Sequence, residues 1–499
     1  MQGQSKMRRR DFLQGSGRLA ANLVVGSSLF SIRKAEADTG LPIAALKTVL
    51  DPRQDLILVS GAAAPNKFDY NASYSKRKQL TPQVRVVASS AQAVGSTIRW
   101  ATNNGVSFAV RSGGHSYEGL SQSADLVIDV RGMSAVQLSA DRKSVVIGAG
   151  ASLGTVYKAL EPSDRAIPAG TCFSVGVAGH SLGGGFGLLG RPFGLACDSV
   201  LTMQVVDASG QVLNASDQEN ADLFWALRGG GNGSFGVVTQ FNFRTSVVNL
   251  VAKFAVTWKK PAAQAARIVL AWQEWLNNLP PAVTCTLHLT KVPGGSIQVH
   301  VAGLSVDSQT RLNLELKRLQ RLAGSPDTQR TSVLTFARAA NIFSGGGQGY
   351  ESVLMKAKSD YVVEPLSKQG ILTLLNGLLA ATGEIAVLCD SYGGAINRVA
   401  SDATAFGHRG TTKYLIQYYM QWERAGATET NIAMMRTLYA SMRPYVSGGC
   451  YVNYCDLDLG EGYAKAYWSD NLPRLMKLKA AFDPKNVFRH AQSVPVEVS

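Results

Sequence analysis

Arg111-Ser112-Gly113-Gly114-His115-Ser116-Tyr117-Glu118-Gly119 and Gly170-Thr171-Cys172-Phe173-Ser174-Val175-Gly176-Val177-Ala178-Gly179-His180-Ser181-Leu182-Gly183-Gly184-Gly185-Phe186-Gly187 are the two stretches that decide the fold. The first follows the apolar run Phe108-Ala109-Val110 and turns through small residues. Successive exposed backbone N–H groups in such a turn make a nest for phosphate oxygens, with His115 beside it. The glycines of the second stretch imply a backbone lying flat against a large planar or charged ligand, because glycine alone permits such close approach. Two further segments share this texture: Arg228-Gly229-Gly230-Gly231-Asn232-Gly233-Ser234-Phe235-Gly236-Val237-Val238, and Tyr451-Val452-Asn453-Tyr454-Cys455-Asp456.

Around these segments strand and helix signals alternate. Residues 84–87, 108–110, 126–130 and 144–147 read as short β-rich strands, and 91–104 as a helix. A short helix is expected over 152–161, with strands returning near 200–207 and 236–243. From about 245 longer amphipathic helices, 262–279 and 311–323, mix with strands such as 297–301. A second domain is placed there, and the motif-rich tail is expected to return to the first.

Two motifs point elsewhere. Gly148-Ala149-Gly150-Ala151-Ser152-Leu153-Gly154 mimics a dinucleotide fingerprint, but its last glycine is one place late and no acidic strand end follows about 20 residues on. It reads as a strand-to-helix turn. Gly179-His180-Ser181-Leu182-Gly183 matches the nucleophile elbow of serine hydrolases, with Asp390 and His408 or His490 as nominal partners of Ser181. That reading leaves the other glycine segments without a role, and the glycines through Gly187 weaken the helix an elbow requires.

Taken together, the four segments resemble the berberine-bridge-enzyme-like FAD-linked oxidases of the vanillyl-alcohol-oxidase fold group, over about Tyr70 to Pro495. The resemblance implies an α+β fold. A two-part FAD-binding domain of PCMH type (38–245 and 436–499) would hold an inserted α+β substrate-binding domain (246–435), an antiparallel sheet covered by helices. It implies FAD attached through His115 to the flavin 8α-methyl carbon and through Cys172 to C6. Arg111, Ser112, Gly113, Gly114, Ser116, Gly119, Val175, Gly176, Gly179, His180, Gly183, Gly184, Gly236, Val238 and Asn453 are the further cofactor-site residues it implies. The tail departs from the family pattern in carrying Cys455 where an Arg is common, and Tyr70-Asn71-Ala72 lacks the usual Arg.

A flavin oxidase needs a base poised over the substrate. The resemblance assigns it to Tyr454, with Tyr451, Tyr392 and Asp390 as partners. A phenol near pKa 10 then has to be lowered by a cation or by hydrogen bonds. The implied reaction removes a hydride from an alcohol or a sugar hemiacetal, giving a ketone or lactone, and reduces O2 to H2O2. The modest side chain of Val175, at a position that governs oxygen access in the family, favours an oxidase over a dehydrogenase. Tyr451 and Tyr454 also fit an aromatic packing stripe.

The 499 residues, 45% apolar and 17% charged, have the composition of a globular chain with a sizeable core. Net charge is +15, of which +5 lies in the first 37 residues. The remaining basic residues are scattered and form no nucleic-acid-binding module. Arg8-Arg9-Arg10-Asp11-Phe12-Leu13, an apolar stretch to Ile32 and Ala35-Glu36-Ala37 read as a twin-arginine signal over 1–37. An amphipathic helix is the alternative reading. The signal implies use of the twin-arginine export machinery and a periplasmic or extracellular location. No segment offers about 18 unbroken apolar residues, so no stable membrane association is expected. The six cysteines form no zinc or CxxC pattern, and no metal is expected. A small molecule, a saccharide or a secreted natural product, is the implied substrate.

Overall fold

Val84–Val87 is buried at all four positions, as a strand covered on both faces must be. In the computed structural model, which describes residues 40–61, 69–346 and 351–496, it lies in a four-stranded sheet. The order is Leu56–Val59, Val84–Val87, Leu126–Asp129, Phe108–Arg111. The last three strands are parallel and Leu56–Val59 is antiparallel to its neighbour. The helix Ala91–Asn103 makes the crossover, and the Ser90 side chain caps it by accepting from the Ala93 N–H at 3.2 Å. Phe108–Arg111 ends where the first glycine segment begins. The signal reading over 1–37 lies outside the described residues.

A second, antiparallel sheet runs Val136–Leu138, Ser144–Gly148, Val237–Arg244, Val200–Val206, Val212–Ser216. Gly148 to Ser152 turns from strand into the helix Leu153–Leu160, so the fingerprint-like motif is structural. A Cβ on Gly150 would lie 2.1 Å from the Val130 carbonyl oxygen. Its glycine serves packing against backbone.

The second domain is a seven-stranded antiparallel sheet: Thr328–Thr335, Leu250–Lys260, Ser296–Ser305, Val283–Val292, Ile385–Ser391, Tyr414–Trp422, Leu354–Val362. Its strands alternate. Leu287 and Leu289 enter a core with Trp272, Trp275, Leu374 and Leu438 from the covering helices, while Thr286, His288 and Thr290 face a cavity. The α+β architecture read from the sequence is met, with one correction. A domain boundary at 435/436 falls inside the helix Thr428–Met442, whose Met435, Leu438 and Met442 belong to the second domain's core. Apolar residues on one face hold the helix to the sheet, so the chain leaves this domain only after Met442.

The tail then returns through Val452–Tyr454, Tyr463–Trp468 and Leu472–Phe482. A buried ionic knot ties it to both domains. Lys356 Nζ lies 2.5 Å from Asp456 and 2.6 Å from Glu118, and Lys358 Nζ lies 2.7 Å from Asp456. Arg77 and Arg436 extend the knot to Glu118 and Asp458. Burial opposes the Lys356 charge, but Asp456 and Glu118 overcome it and hold the ammonium above its ordinary range. The Lys356 and Asp456 side chains are only 2% and 3% exposed. Removing one buried partner strands the other charges, at a cost of about 3–5 kcal/mol. Asp456→Ala is therefore expected to lower the unfolding free energy by that scale, read as a lower midpoint in chemical denaturation. An unchanged midpoint would show that the knot adds no net stability.

Candidate active site

The two segments that carry His115 and Cys172 meet backbone to backbone. A Cβ on Gly113 would stand 2.2 Å from the Gly176 nitrogen, and one on Gly176 would stand 2.2 Å from Ser112 Oγ. No side chain fits at either position. Leu153 N–H donates to the Val175 carbonyl and Val177 N–H to the Ala151 carbonyl, both at 2.9 Å, and Ser112 Oγ donates to Ala149 O at 2.7 Å. These bonds fix the loop on which Cys172 sits. His115 Nε2 then lies 3.0 Å from Ser174 Oγ, and its ring stacks on Tyr74 at 4.9 Å. Burial, and then the Arg111 guanidinium, push the His115 imidazole down to about 4. The ring is neutral at pH 7 and keeps a nucleophilic lone pair. Cys172 is exposed on the cavity wall. Enclosure by surrounding protein, followed by the Asp390 carboxylate, holds its thiol above the ordinary range.

A cavity of about 3370 Å³ runs from this loop pair to the seven-stranded sheet. That is well beyond the roughly 300–1,000 Å³ a single small ligand needs. Ser112, Gly113, Gly114, His115, Ser116, Cys172, Val175, Gly176, Gly179, His180, Gly236, Val238 and Asn453 all line it, as do Asp390, Tyr451 and Tyr454. The residues fit a dinucleotide with a planar ring. Among the described residues the N–H groups of Ser112, Gly113 and Ser116 donate to no protein acceptor. A Cβ on Gly179 would meet open space on the cavity side.

Five expected site residues do not line the cavity. Arg111 is buried behind it and donates to the Ala72 carbonyl. Gly119 sits in a turn at φ +73, where a Cβ would press on Lys78. Gly183 leaves room for the Asn453 amide, which a Cβ would meet at 2.2 Å, and Gly184 leaves room for the Phe406 ring. Tyr392 is 1% exposed in an aromatic cluster, stacked on Phe186 at 5.4 Å and 3.5 Å from the Tyr361 hydroxyl. It supports the site from the core and is too far inside to touch a substrate.

The closing motif is held by Tyr451. Its hydroxyl accepts from Gly185 N–H at 3.1 Å, Phe186 N–H at 3.2 Å and Asn453 Nδ2 at 2.8 Å. Burial raises this phenol, and the three donors restrain it to about 12. Tyr454 packs edge-on against Tyr451 at 5.0 Å and stacks on Tyr117 at 5.6 Å. The lowering expected for Tyr454 is not met. Burial, then Asp390, raise its phenol well above the ordinary range. Asp390 titrates near neutrality instead, pushed up to about 7 by burial.

Sequence reading passed over the groups around Tyr454. Gln417 Nε2 donates to the Tyr117 hydroxyl at 3.0 Å, and the Tyr74 and Tyr419 hydroxyls lie 2.6 Å apart. Tyr117 stood beside His115 in the motif, but its partner is set by the register of a strand 300 residues away. The hydrolase reading fails. Ser181 is fully buried in the helix Val177–Leu182, and its Oγ has no hydrogen-bond partner. His408 instead binds the Ala466 and Tyr467 carbonyls, and His490 the Asn232 carbonyl. All six cysteines are free thiols.

Comparison with known proteins shows the family and the fold. An FAD binding domain model matches residues 82–216, and a "berberine and berberine like" model matches residues 450–495. YgaK, an uncharacterized FAD-linked oxidoreductase of Bacillus subtilis (strain 168), is 33% identical over 83% of this chain and 91% of its own length. The structure of Physcomitrella patens BBE-like 1 superposes with a TM-score of 0.84 at 30% identity, covering 92% of this chain and 99% of that one. A chitooligosaccharide oxidase superposes with a TM-score of 0.83 at 25% identity, over 91% and 99%. With the FAD-binding part and the large antiparallel substrate sheet both in place, the chain belongs to the berberine bridge enzyme-like family of FAD-linked oxidoreductases.

Proposed function

We propose that this FAD-dependent oxidoreductase is an exported oxidase of saccharide hemiacetals or secondary alcohols, with the flavin held covalently by His115 and Cys172. The observation that carries the reading is the convergence of these two side chains, on loops joined at Gly113 and Gly176, in the cavity that also holds Asp390 and Tyr454. When bound, the flavin accepts a hydride and passes the electrons on to O2. His115 is the readier nucleophile, because its lone pair is available at neutral pH while Cys172 remains a thiol. Val175 lines the cavity beside this loop and is small enough to leave oxygen a path. The likeness to a chitooligosaccharide oxidase supports a saccharide substrate. The twin-arginine signal supports export of the folded protein to the periplasm or the exterior, with its cofactor already inserted.

Proton removal falls to two groups. Tyr454 is the residue that touches the substrate hydroxyl, held in place by Tyr117 and Tyr451. Asp390 is the terminal acceptor. It is ionised only above about pH 7, and its charge already acts on the Tyr454 phenol. Tyr117, bonded to Gln417, fixes the face against which Tyr454 stacks.

The attachment is tested by acid precipitation, which is expected to leave the yellow colour in the protein pellet. His115→Ala and Cys172→Ala singly should each retain some colour, and only the double variant should release it. A colourless pellet from the natural protein removes the covalent reading. The proton path is tested by stopped-flow flavin reduction. Tyr454→Phe is expected to slow reduction by about 10²–10⁴-fold, the usual weight of a general base. The natural protein's reduction rate should rise as pH passes upward through about 7, because the raised Asp390 carboxyl becomes a base only there. Asp390→Asn should flatten this limb. An unaltered limb in that variant would move the acceptor role elsewhere.

A further inference from the structure

Arg191 is a buried cation with no acid beside it. It is 4% exposed. Among the described residues no carboxylate lies within ion-pair distance of it, whereas the buried Arg85, Lys356, Arg409 and Lys479 each have one. An unpaired charge in a dry interior is costly, so a neutral side chain would serve better if the only need were to fill space. All the donors of Arg191 go to backbone carbonyls of the second domain. Nε donates to Val283 O at 2.7 Å, Nη2 to Leu279 O at 2.6 Å and to Pro280 O at 3.5 Å, and Nη1 to Tyr392 O. Val283 begins the strand Val283–Val292, and Tyr392 directly follows the strand Ile385–Ser391, which carries Asp390. A guanidinium presents its donors in one rigid plane. One side chain therefore fixes two neighbouring strand ends relative to each other and to the FAD-binding part.

The fit around the guanidinium is close. A Cβ on Gly393, which has φ +98, would stand 2.6 Å from Arg191 Nη1, and one on Gly394 would stand 2.3 Å from the Arg191 carbonyl oxygen. Arg191 is also one end of a short segment, residues 185–191, whose other end holds the tail. There the Gly185 and Phe186 N–H groups donate to the Tyr451 hydroxyl, and Tyr451 packs against Tyr454. The middle of the segment is pinned to the loop that bears Cys172. A Cβ on Gly187 would lie 1.8 Å from the carbonyl oxygen of Ala169, three residues before Cys172. The Phe186 ring stacks on Tyr392 at 5.4 Å with the planes 7° apart. Tyr454 and Asp390, contributed by the tail and by the second domain, thus hang from opposite ends of one segment packed on the Cys172 loop.

We infer that Arg191 is a positioning residue for the reaction, holding the strand end of Asp390 at the separation from Tyr454 that proton transfer needs. The inference rests on the proposed function, in which Tyr454 meets the substrate hydroxyl and Asp390 takes the proton, and deepens it. Arg191 does not line the cavity, so it touches neither substrate nor flavin. It acts through the Tyr392 carbonyl, two residues from Asp390, and through Val283, whose strand pairs with that of Asp390 at Thr286. Without the guanidinium the two strand ends lose their common anchor, and the Asp390 carboxyl is no longer held to one place. Misplacing a reacting group by 1 Å can cost roughly 10²-fold in rate, while the surfaces that bind substrate and flavin stay as they are.

The test is a double-mutant cycle on the flavin-loaded enzyme, read by anaerobic stopped-flow reduction with the β-1,4-linked trisaccharides of glucose and of N-acetylglucosamine. Arg191→Gln is expected to lower the limiting reduction rate by about 10²-fold, with the substrate dissociation constant and the flavin content within about twofold of the natural protein. Arg191→Lys, which keeps the cation but reaches fewer carbonyls, should fall between the two. The decisive comparison is Arg191→Gln/Asp390→Asn. If Arg191 works through Asp390, the double variant is no slower than Asp390→Asn alone, within about twofold, because coupled sites do not add. A double variant slowed by the product of the two single effects overturns the positioning role and leaves Asp390 as the acceptor. An unchanged reduction rate in Arg191→Gln does the same. Should Arg191→Gln fail to load flavin, Arg191→Lys carries the same cycle, and failure of both to load makes Arg191 a folding residue and overturns the inference. Unslowed reduction in Asp390→Asn removes the acceptor reading itself, and reduction by neither trisaccharide removes the saccharide reading; the inference falls with either.

Discussion

The contact between Gly113 and Gly176 is the constraint on which the rest of the site depends. Two loops, one leaving a parallel sheet and one entering a short helix, meet at Gly113 and Gly176 at distances no Cβ tolerates. Because the chains are this close, Ser174 reaches His115, and the loop bearing Cys172 is bonded along the Ala149–Leu153 turn. Any substituent at either glycine forces the loops apart. The first casualty is the relative position of the two side chains proposed to hold the ring, well before the sheets behind them are affected. The glycines here set the geometry between two protein segments as well as lining the cavity.

The tail and the inserted domain complete the cavity from the other side, and electrostatics decides how they dock. Lys356 and Lys358 are carried on an edge strand of the second domain, while Glu118 follows the His115 motif and Asp456 closes the tail motif. One buried cluster of opposite charges therefore joins the His115 loop, the seven-stranded sheet and the segment with Tyr454. A buried ion pair is a weak source of net stability but a strong arbiter of register, since any misplacement leaves a charge unpaired in a dry interior. A packed apolar interface would tolerate small slips between the parts. The knot does not.

Much of this was legible in the sequence, and the gaps have physical reasons. The glycine segments, His115, Cys172 and the closing motif are local patterns whose chemistry is tied to residue type and spacing. The strand and helix signals of the first domain followed from periodicity. Gly119, Gly183, Gly184 and Tyr392 were read as contacting the cofactor or substrate, yet they serve packing one layer back. A glycine-rich run does not declare which of its members faces a ligand and which faces a neighbouring side chain. The pairing of Tyr117 with Gln417 was invisible, because only the docking of the His115 loop on a strand 300 residues away brings the two together. Helix Thr428–Met442 crossed the expected boundary because its apolar face, and no linker composition, decides where the domain ends.

One desolvated cavity sorts its titratable groups into distinct states. Burial neutralises His115 by lowering it, keeps the Tyr454 phenol and the Cys172 thiol protonated by raising them, and brings Asp390 to the edge of ionisation near neutral pH. The direction in each case follows from which form is charged, since a dry site penalises the charged form whatever its sign. Neighbours then set the order. Tyr451, with three donors on its oxygen, is restrained where Tyr454 is not, although the two rings are 5.0 Å apart. The donors that restrain Tyr451 also occupy its oxygen, so it is a structural post for the Gly185–Phe186 backbone. Tyr454, with an oxygen not tied to that backbone, is the phenol proposed to meet a substrate. Asp390, pushed up to about 7 and acting on the Tyr454 phenol, is the group proposed to take its proton.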